Sequence, residues 1–126
     1  VKSPTTQCDN RPAIPNKSKT KIWVAAFGDK FYGSCYCCGV KIQVAHEHSS
    51  VRIVHYGHII PYNICKNNNI DNIVPICRTC NLSMNCVNMR DFINEYHKSR
   101  LNVFDSKVKQ YRQNLNWNTL HNSNSE

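Results

Sequence analysis

The sequence predicts an α+β domain organised around a four-cysteine zinc site, with a short helix before its strands and additional C-terminal helices after them. Three observations carry this: a β-branched stretch between Val40 and Ile60, apolar residues at helical spacing beyond Cys80, and two cysteine pairs that bracket the strands. In chain order, the first 17 residues hold Pro4, Pro12 and Pro15 with no sustained period, and read as an extended basic arm. A helix is expected from Ser18 or Thr20 through Trp23, Val24 and Phe27, stopped by Gly28. The segment FYGSCYCCG, Phe31 to Gly39, is turn-rich and suits a metal knuckle. Val44, Val51, Ile53, Val54, Ile59 and Ile60 favour strands, and a polar loop from Tyr62 to Asn69 leads to a second strand over Asn72 to Ile76. Pro75 cannot donate a ladder hydrogen bond, so that strand is short or lies at an edge. Met89, Phe92, Ile93 and Tyr96 then follow one helical stripe, and Leu101, Phe104, Val108, Tyr111 and Leu115 a second. The two helices break near Ser99 to Asn102, the second is expected over about 103–116, and residues 118–126 form a flexible tail.

At 126 residues there is room for one domain with a small core, taken as 18–117. Sixteen Lys and Arg against eight Asp and Glu leave a net charge of +8, which points to a polyanion or an anionic surface as partner. No apolar run approaches the roughly 18 residues a membrane helix needs. Residues 1–15 also lack the apolar core of a signal peptide, so the expectation is an intracellular protein, cytoplasmic or nuclear, with reduced thiols, not a secreted one. Asn supplies about one residue in seven, an excess read as background except where position gives a particular Asn a task.

The strongest local signal is the pair Cys35-Tyr-Cys-Cys38 and Cys77-Arg-Thr-Cys80. Each sets two thiolates one tight turn apart, and four such sulfurs can surround a structural Zn²⁺. Cys37 could replace Cys35 or Cys38, although two intervening residues match the usual knuckle. Cys8, Cys65 and Cys86 stand apart and are expected not to ligate.

Between and after the knuckles lie Gly57-His-Ile-Ile-Pro61, then Asn72-Ile-Val-Pro-Ile-Cys-Arg-Thr-Cys-Asn81, then Leu82-Ser-Met84. Together these resemble the HNH endonucleases of the His-Me finger, or ββα-metal, superfamily, over roughly Gly33 to Phe92. The signature positions fall on His58, Asn72 and Asn81, an HNN variant similar to those of large DNA viruses. The resemblance implies a ββα-metal core over about 51–97 and cleavage of DNA, double-stranded, with the core against the minor groove. His58 would be the general base, Asn81 a ligand of a catalytic Mg²⁺ or Mn²⁺, and Asn72 a brace of the loop near His58. Asn81 at a helix start is also a good N-cap, and Asp71-Asn72 is also good turn chemistry. The chain departs from the family pattern at Gly57, where many members carry the second metal ligand. His55 is the nearest replacement, on the strand face opposite His58, with Asp71 a weaker option. Lys66-Asn-Asn-Asn69 stands where Gly-Gly is usual, and Asn tolerates left-handed backbone better than most residues. His46 and His48, flanking Glu47 on a polar stretch, read as surface residues.

The chemistry suits these residue types on its own terms. Phosphodiester hydrolysis needs water deprotonated near neutral pH, which a His does well, and charge neutralisation with leaving-group help, which a divalent cation supplies. His58, at a strand end before Pro61, is expected to be exposed. Arg52, Lys66, Arg78 and Arg90 flank the site and, with Lys17, Lys19 and Lys21, would contact phosphates. The alternative is a non-catalytic four-cysteine zinc module that binds DNA or RNA. A third reading makes the Leu101–Leu115 stripe the face of a homodimer.

Overall fold

The computed structural model describes the backbone of residues 12–44 and 52–122, with side chains for 12–44 and 53–117. It is an α+β fold with a small mixed sheet of four strands that lie side by side in chain order. The arm up to residue 11 (with Cys8), His46, His48, Val51, the side chain of Arg52 and the end of the tail lie outside the described residues.

Helix α1 spans Asn16–Phe27 and starts two residues earlier than the composition suggests. Pro15 fixes the entry, its carbonyl accepting from the Lys19 N–H at 3.0 Å, and Asn16 to Lys19 continue the turn. Gly28 stops it as expected, with φ of +73° and its N–H on the Val24 carbonyl. The helix buries Ile22, Trp23 and Ala25, and the Trp23 indole donates to the Lys30 carbonyl at 2.9 Å.

Strands β1 (Tyr32–Ser34) and β2 (Lys41–Gln43) are antiparallel, and the first cysteine knuckle is the turn between them. β3 (Arg52–His58) pairs parallel to β2 and antiparallel to β4 (Ile73–Cys77), in register from Val54 opposite Cys77 to His58 opposite Ile73. Val44, Ile59 and Ile60 fall just outside the strands. β4 is the edge strand that Pro75 demands, and every residue in it is buried. Ile59 donates to the Asn72 carbonyl at 2.8 Å, so the bonded pairs alternate away from Tyr56–Pro75 and the missing proline N–H leaves no gap in the ladder. Tyr36 of the knuckle covers the outer edge by donating to the Pro75 carbonyl.

The segment read as a polar loop contains a short helix, α2 (Tyr62–Cys65), entered from Pro61. The left-handed residue that ends it is Lys66, with φ of +61°, not one of the following asparagines. α3 (Arg78–Met84) leaves β4 without a linker. Past α4 (Met89–Tyr96) and a 3-10 turn at Lys98–Arg100, α5 runs over Leu101–Asn122, longer at both ends than expected. No described helix is long and apolar enough to cross a membrane.

Phe104, Val108, Tyr111 and Leu115 of α5 are buried within the chain, so that stripe is core and not a face left for a second copy. α5 also ties the layers together by polar contacts: Tyr111 Oη donates to the Ile70 carbonyl at 2.7 Å and Asn114 Nδ2 to the Ala25 carbonyl at 2.8 Å. Edge-to-face contacts from Trp23 to Phe27, Tyr36 and Tyr111 carry the core from α1 through the knuckle to α5.

Candidate metal centre and the His58 turn

The four cysteines singled out by spacing converge: one sulfur each from Cys35, Cys38, Cys77 and Cys80 lies within 4.8 Å of the other three. Cys38 Sγ and Cys77 Sγ are 3.8 Å apart. Tetrahedral Zn–S bonds of about 2.3 Å require an S···S separation of about 3.8 Å, so the donor set fits zinc. The sulfurs are oriented by backbone donors. Cys35 Sγ accepts from the N–H groups of Cys37 and Cys38, and Cys77 Sγ, the cap of α3, accepts from that of Cys80. Cys37 is buried beside the cluster without belonging to it, which resolves the open choice in favour of Cys35 and Cys38. Hydrogen bonding from Cys37 foremost, then from Cys38, Cys77 and Cys80, holds the Cys35 thiol far below its ordinary pKa. Cys77 and Cys80 are pushed up, above all by donating to Cys35. Such a cluster is one proton-sharing unit, and a bound cation would replace those protons.

The knuckles join the β1–β2 turn to the junction of β4 and α3, and thereby fix the first turns of α3. Asn81 is the fourth residue of that helix, so it is not the N-cap, a place held by Cys77. It faces β3 instead, where Asn81 Nδ2 donates to His55 Nδ1 at 3.2 Å. Strand alternation puts His55 and Gly57 on this face and His58 on the other. With Nδ2 spent on His55, Asn81 Oδ1 looks toward Gly57, 3.4 Å from where a Cβ there would lie. The end of the Ile76 side chain fills the rest of that space, 2.5 Å from the same point, which is a packing reason for glycine. His55 and Asn81 open onto a cleft of about 460 Å³, walled opposite by residues 12–14 and Lys19. None of the described residues lining it is a carboxylate, and Asp71 is exposed elsewhere, its carbonyl held by Arg112.

His58 is not exposed: only 7% of it is accessible. α2 and the loop after it fold back over the ring, which meets Tyr62 edge-to-face at 5.8 Å. His58 Nε2 lies 3.1 Å from the Asn67 carbonyl and 3.0 Å from Asn68 Oδ1. Asn68 Nδ2 donates to the Pro12 carbonyl, which orients the amide with its oxygen toward His58. Two acceptors around Nε2 place the proton there and leave the lone pair of the neutral ring on Nδ1. Asn72 performs the bracing expected of it. Its Oδ1 accepts from the Ile60 N–H at 2.9 Å and its Nδ2 donates to the Ile60 carbonyl at 3.0 Å, clamping the chain two residues past His58.

The basic residues separate on inspection. Lys66 and Arg78 are exposed, on the loop over His58 and at the start of α3. Arg90 instead makes a two-pronged pair with Asp105, at 3.1 and 2.9 Å, so its guanidinium is already engaged. Residues 12–14 and Asn68 were not marked as site residues by the sequence. Their roles depend on a contact between residues 56 positions apart, which no local pattern announces. No protein-family model, curated protein or solved structure matches this chain.

Proposed function

We propose that the chain is a metal-dependent DNA endonuclease of the HNH type, in which β3, β4 and α3 form the ββα-metal core. The observation that carries this reading is the arrangement at the end of β3. A tautomer-fixed His58 sits on one side, the Asn81–His55 pair lies on the other beside Gly57, and Asn72 clamps the turn between them. A buried side chain held this way is preorganised for one task, and of the two imidazoles His55 accepts from Asn81 through Nδ1, which leaves His58 as the base near neutral pH.

In this reading His58 Nδ1 takes the proton of a water that attacks phosphorus, Nε2–H remaining on Asn67 and Asn68. The P–O3′ bond breaks and the departing O3′ takes a proton from solvent, leaving a 5′-phosphate and a 3′-hydroxyl. Asn81 Oδ1 would hold a Mn²⁺ or Mg²⁺, joined by His55 once its Nδ1 gives up the bond from Asn81 Nδ2, and the cation would supply neutralisation of the phosphoryl charge and support of the leaving oxygen. One amide oxygen and one imidazole are a thin donor set without a carboxylate, better suited to Mn²⁺ than to Mg²⁺, whose hard-oxygen demand is stricter. Lys19, at the rim of the same cleft, supplies a positive charge for the phosphate. The four cysteines hold structural zinc that fixes α3 against β3. Burial of His58 and the absence of a carboxylate in the cleft favour the runner-up, a zinc module that binds DNA or RNA without cutting it.

The two readings separate in one experiment. Zinc-loaded protein is incubated with supercoiled plasmid with and without Mn²⁺ or Mg²⁺, beside Asn81→Ala. Nicking that requires the added cation and disappears in the variant supports the nuclease. Binding without cleavage on duplex, branched and single-stranded DNA selects the zinc module.

A further inference from the structure

Beyond the His55–Asn81 cleft, on the far side of Tyr56 and Lys19, lies a second groove of about 470 Å³. That volume is within the roughly 300–1,000 Å³ typical of small-ligand sites. Trp23, 7% accessible and held by its indole bond to Lys30, lines it together with Phe31, which is 78% exposed. Two lysines, Lys19 and Lys30, line it against a single acid, Asp29. Nothing in the core explains Phe31: it lies in the bend between α1 and β1 and its ring stands in solvent. An exposed aromatic sharing a groove with two cations is the arrangement that captures an unpaired base, the ring stacking on the base and the ammonium groups meeting the flanking phosphates.

We propose that this groove receives an unpaired nucleotide of the DNA strand running through the His55–Asn81 cleft, so that the preferred substrate is DNA with a single-stranded gap or branch. The proposal rests on the nuclease reading for its strand path and not for its binding chemistry. Two features select nucleic acid as the occupant. Lys19 and Tyr56 line both cavities, so the two adjoin, and the lining is net positive, complementary to a phosphate backbone. Tyr56, whose hydroxyl burial pushes up to about 12, stays neutral here and can donate to a phosphate or a base edge.

The test is fluorescence anisotropy with the full-length, zinc-loaded chain and no added Mg²⁺ or Mn²⁺, using a labelled duplex and the same duplex with a five-nucleotide gap. Wild type is expected to bind the gapped DNA about tenfold more tightly, from stacking worth about 1–3 kcal/mol per base. Phe31→Ala and Phe31→Leu should lose that preference while holding duplex affinity within about twofold, and Phe31→Tyr should restore it. Phe31 is too exposed for these changes to unfold the chain. Equal weakening on both DNAs, retention of the preference by Phe31→Leu, or no gap preference in wild type would overturn the proposal. So would loss of self-association in Phe31→Ala with DNA binding unchanged, which would make the face a protein contact. Cleavage is scored separately: a gap preference that needs Phe31 in a protein that never cuts keeps the groove and discards the nuclease. Cleavage that favours neither the gapped nor the intact duplex and is indifferent to Phe31 does the reverse.

Discussion

Replacing Asn72 with Ala removes the clamp on the turn that carries His58, and its cost can be worked from the contacts. Two hydrogen bonds, at 2.9 and 3.0 Å, close on the backbone of a single residue, Ile60. A net contribution of about 0.5–1.5 kcal/mol each gives roughly 1–3 kcal/mol. Asn72 itself is 9% exposed, so both bonds form in a largely dry place, but Ile60 is 42% exposed and water can reach its freed groups. That puts the expected loss near the middle, about 2 kcal/mol. For a domain of this size, about 4 °C of midpoint per kcal/mol makes the shift about 8 °C. Thermal unfolding of zinc-loaded protein by circular dichroism measures it, and amide exchange at Ile60 reports whether the loss is local. A midpoint lowered by less than about 2 °C with Ile60 still protected would refute the clamp. If the nuclease reading holds, the same variant also nicks DNA more slowly, because His58 loses its fixed position.

Other substitutions probe the remaining parts. Cys77→Ser should leave less than one zinc per chain by elemental analysis and a largely unfolded circular dichroism spectrum, because structural zinc binding is coupled to folding. Full zinc content with a native spectrum would contradict the four-cysteine site. Cys37→Ser, one residue away from a ligand, should retain zinc, at a stability cost of about 1–2 kcal/mol for a polar group in an apolar place. Arg100 Nε donates to the Cys37 carbonyl at 3.2 Å and brings a positive charge beside the thiolates, so Arg100→Ala should release zinc faster to a competing chelator dye. An unchanged release rate would argue against that support. Gly57→Asp combined with Ile76→Val, which clears the occupied space, should shift plasmid nicking from Mn²⁺ toward Mg²⁺ by adding a carboxylate beside Asn81. Unaltered metal preference would detach Asn81 from the cation.

The clustered cysteines were readable because knuckle spacing is a local property, and so was the opposition of His55 and His58, which needs only strand alternation. Pro75 announced its edge strand, and Asn72 its brace, since each follows from what one residue type can bond. The burial of His58 was not legible. It depends on α2 and the Lys66–Asn69 loop closing over the strand end, and on Asn68 reaching the segment before α1. Nor did the sequence announce Lys66 as the left-handed residue in a run of asparagines that accept that conformation more readily. The engagement of Arg90 by Asp105 was hidden for the same reason: it joins α4 to α5 across the intervening turn.

The central claim is that His58 is a base, and the most direct measurement is the single-turnover nicking rate of His58→Ala beside wild type, with zinc content and circular dichroism matched. General-base catalysis contributes about 10²–10⁴-fold, and the account predicts a loss of that size, partly restored by added imidazole entering the space the ring vacates. A folded, zinc-loaded His58→Ala that nicks at the wild-type rate would contradict it.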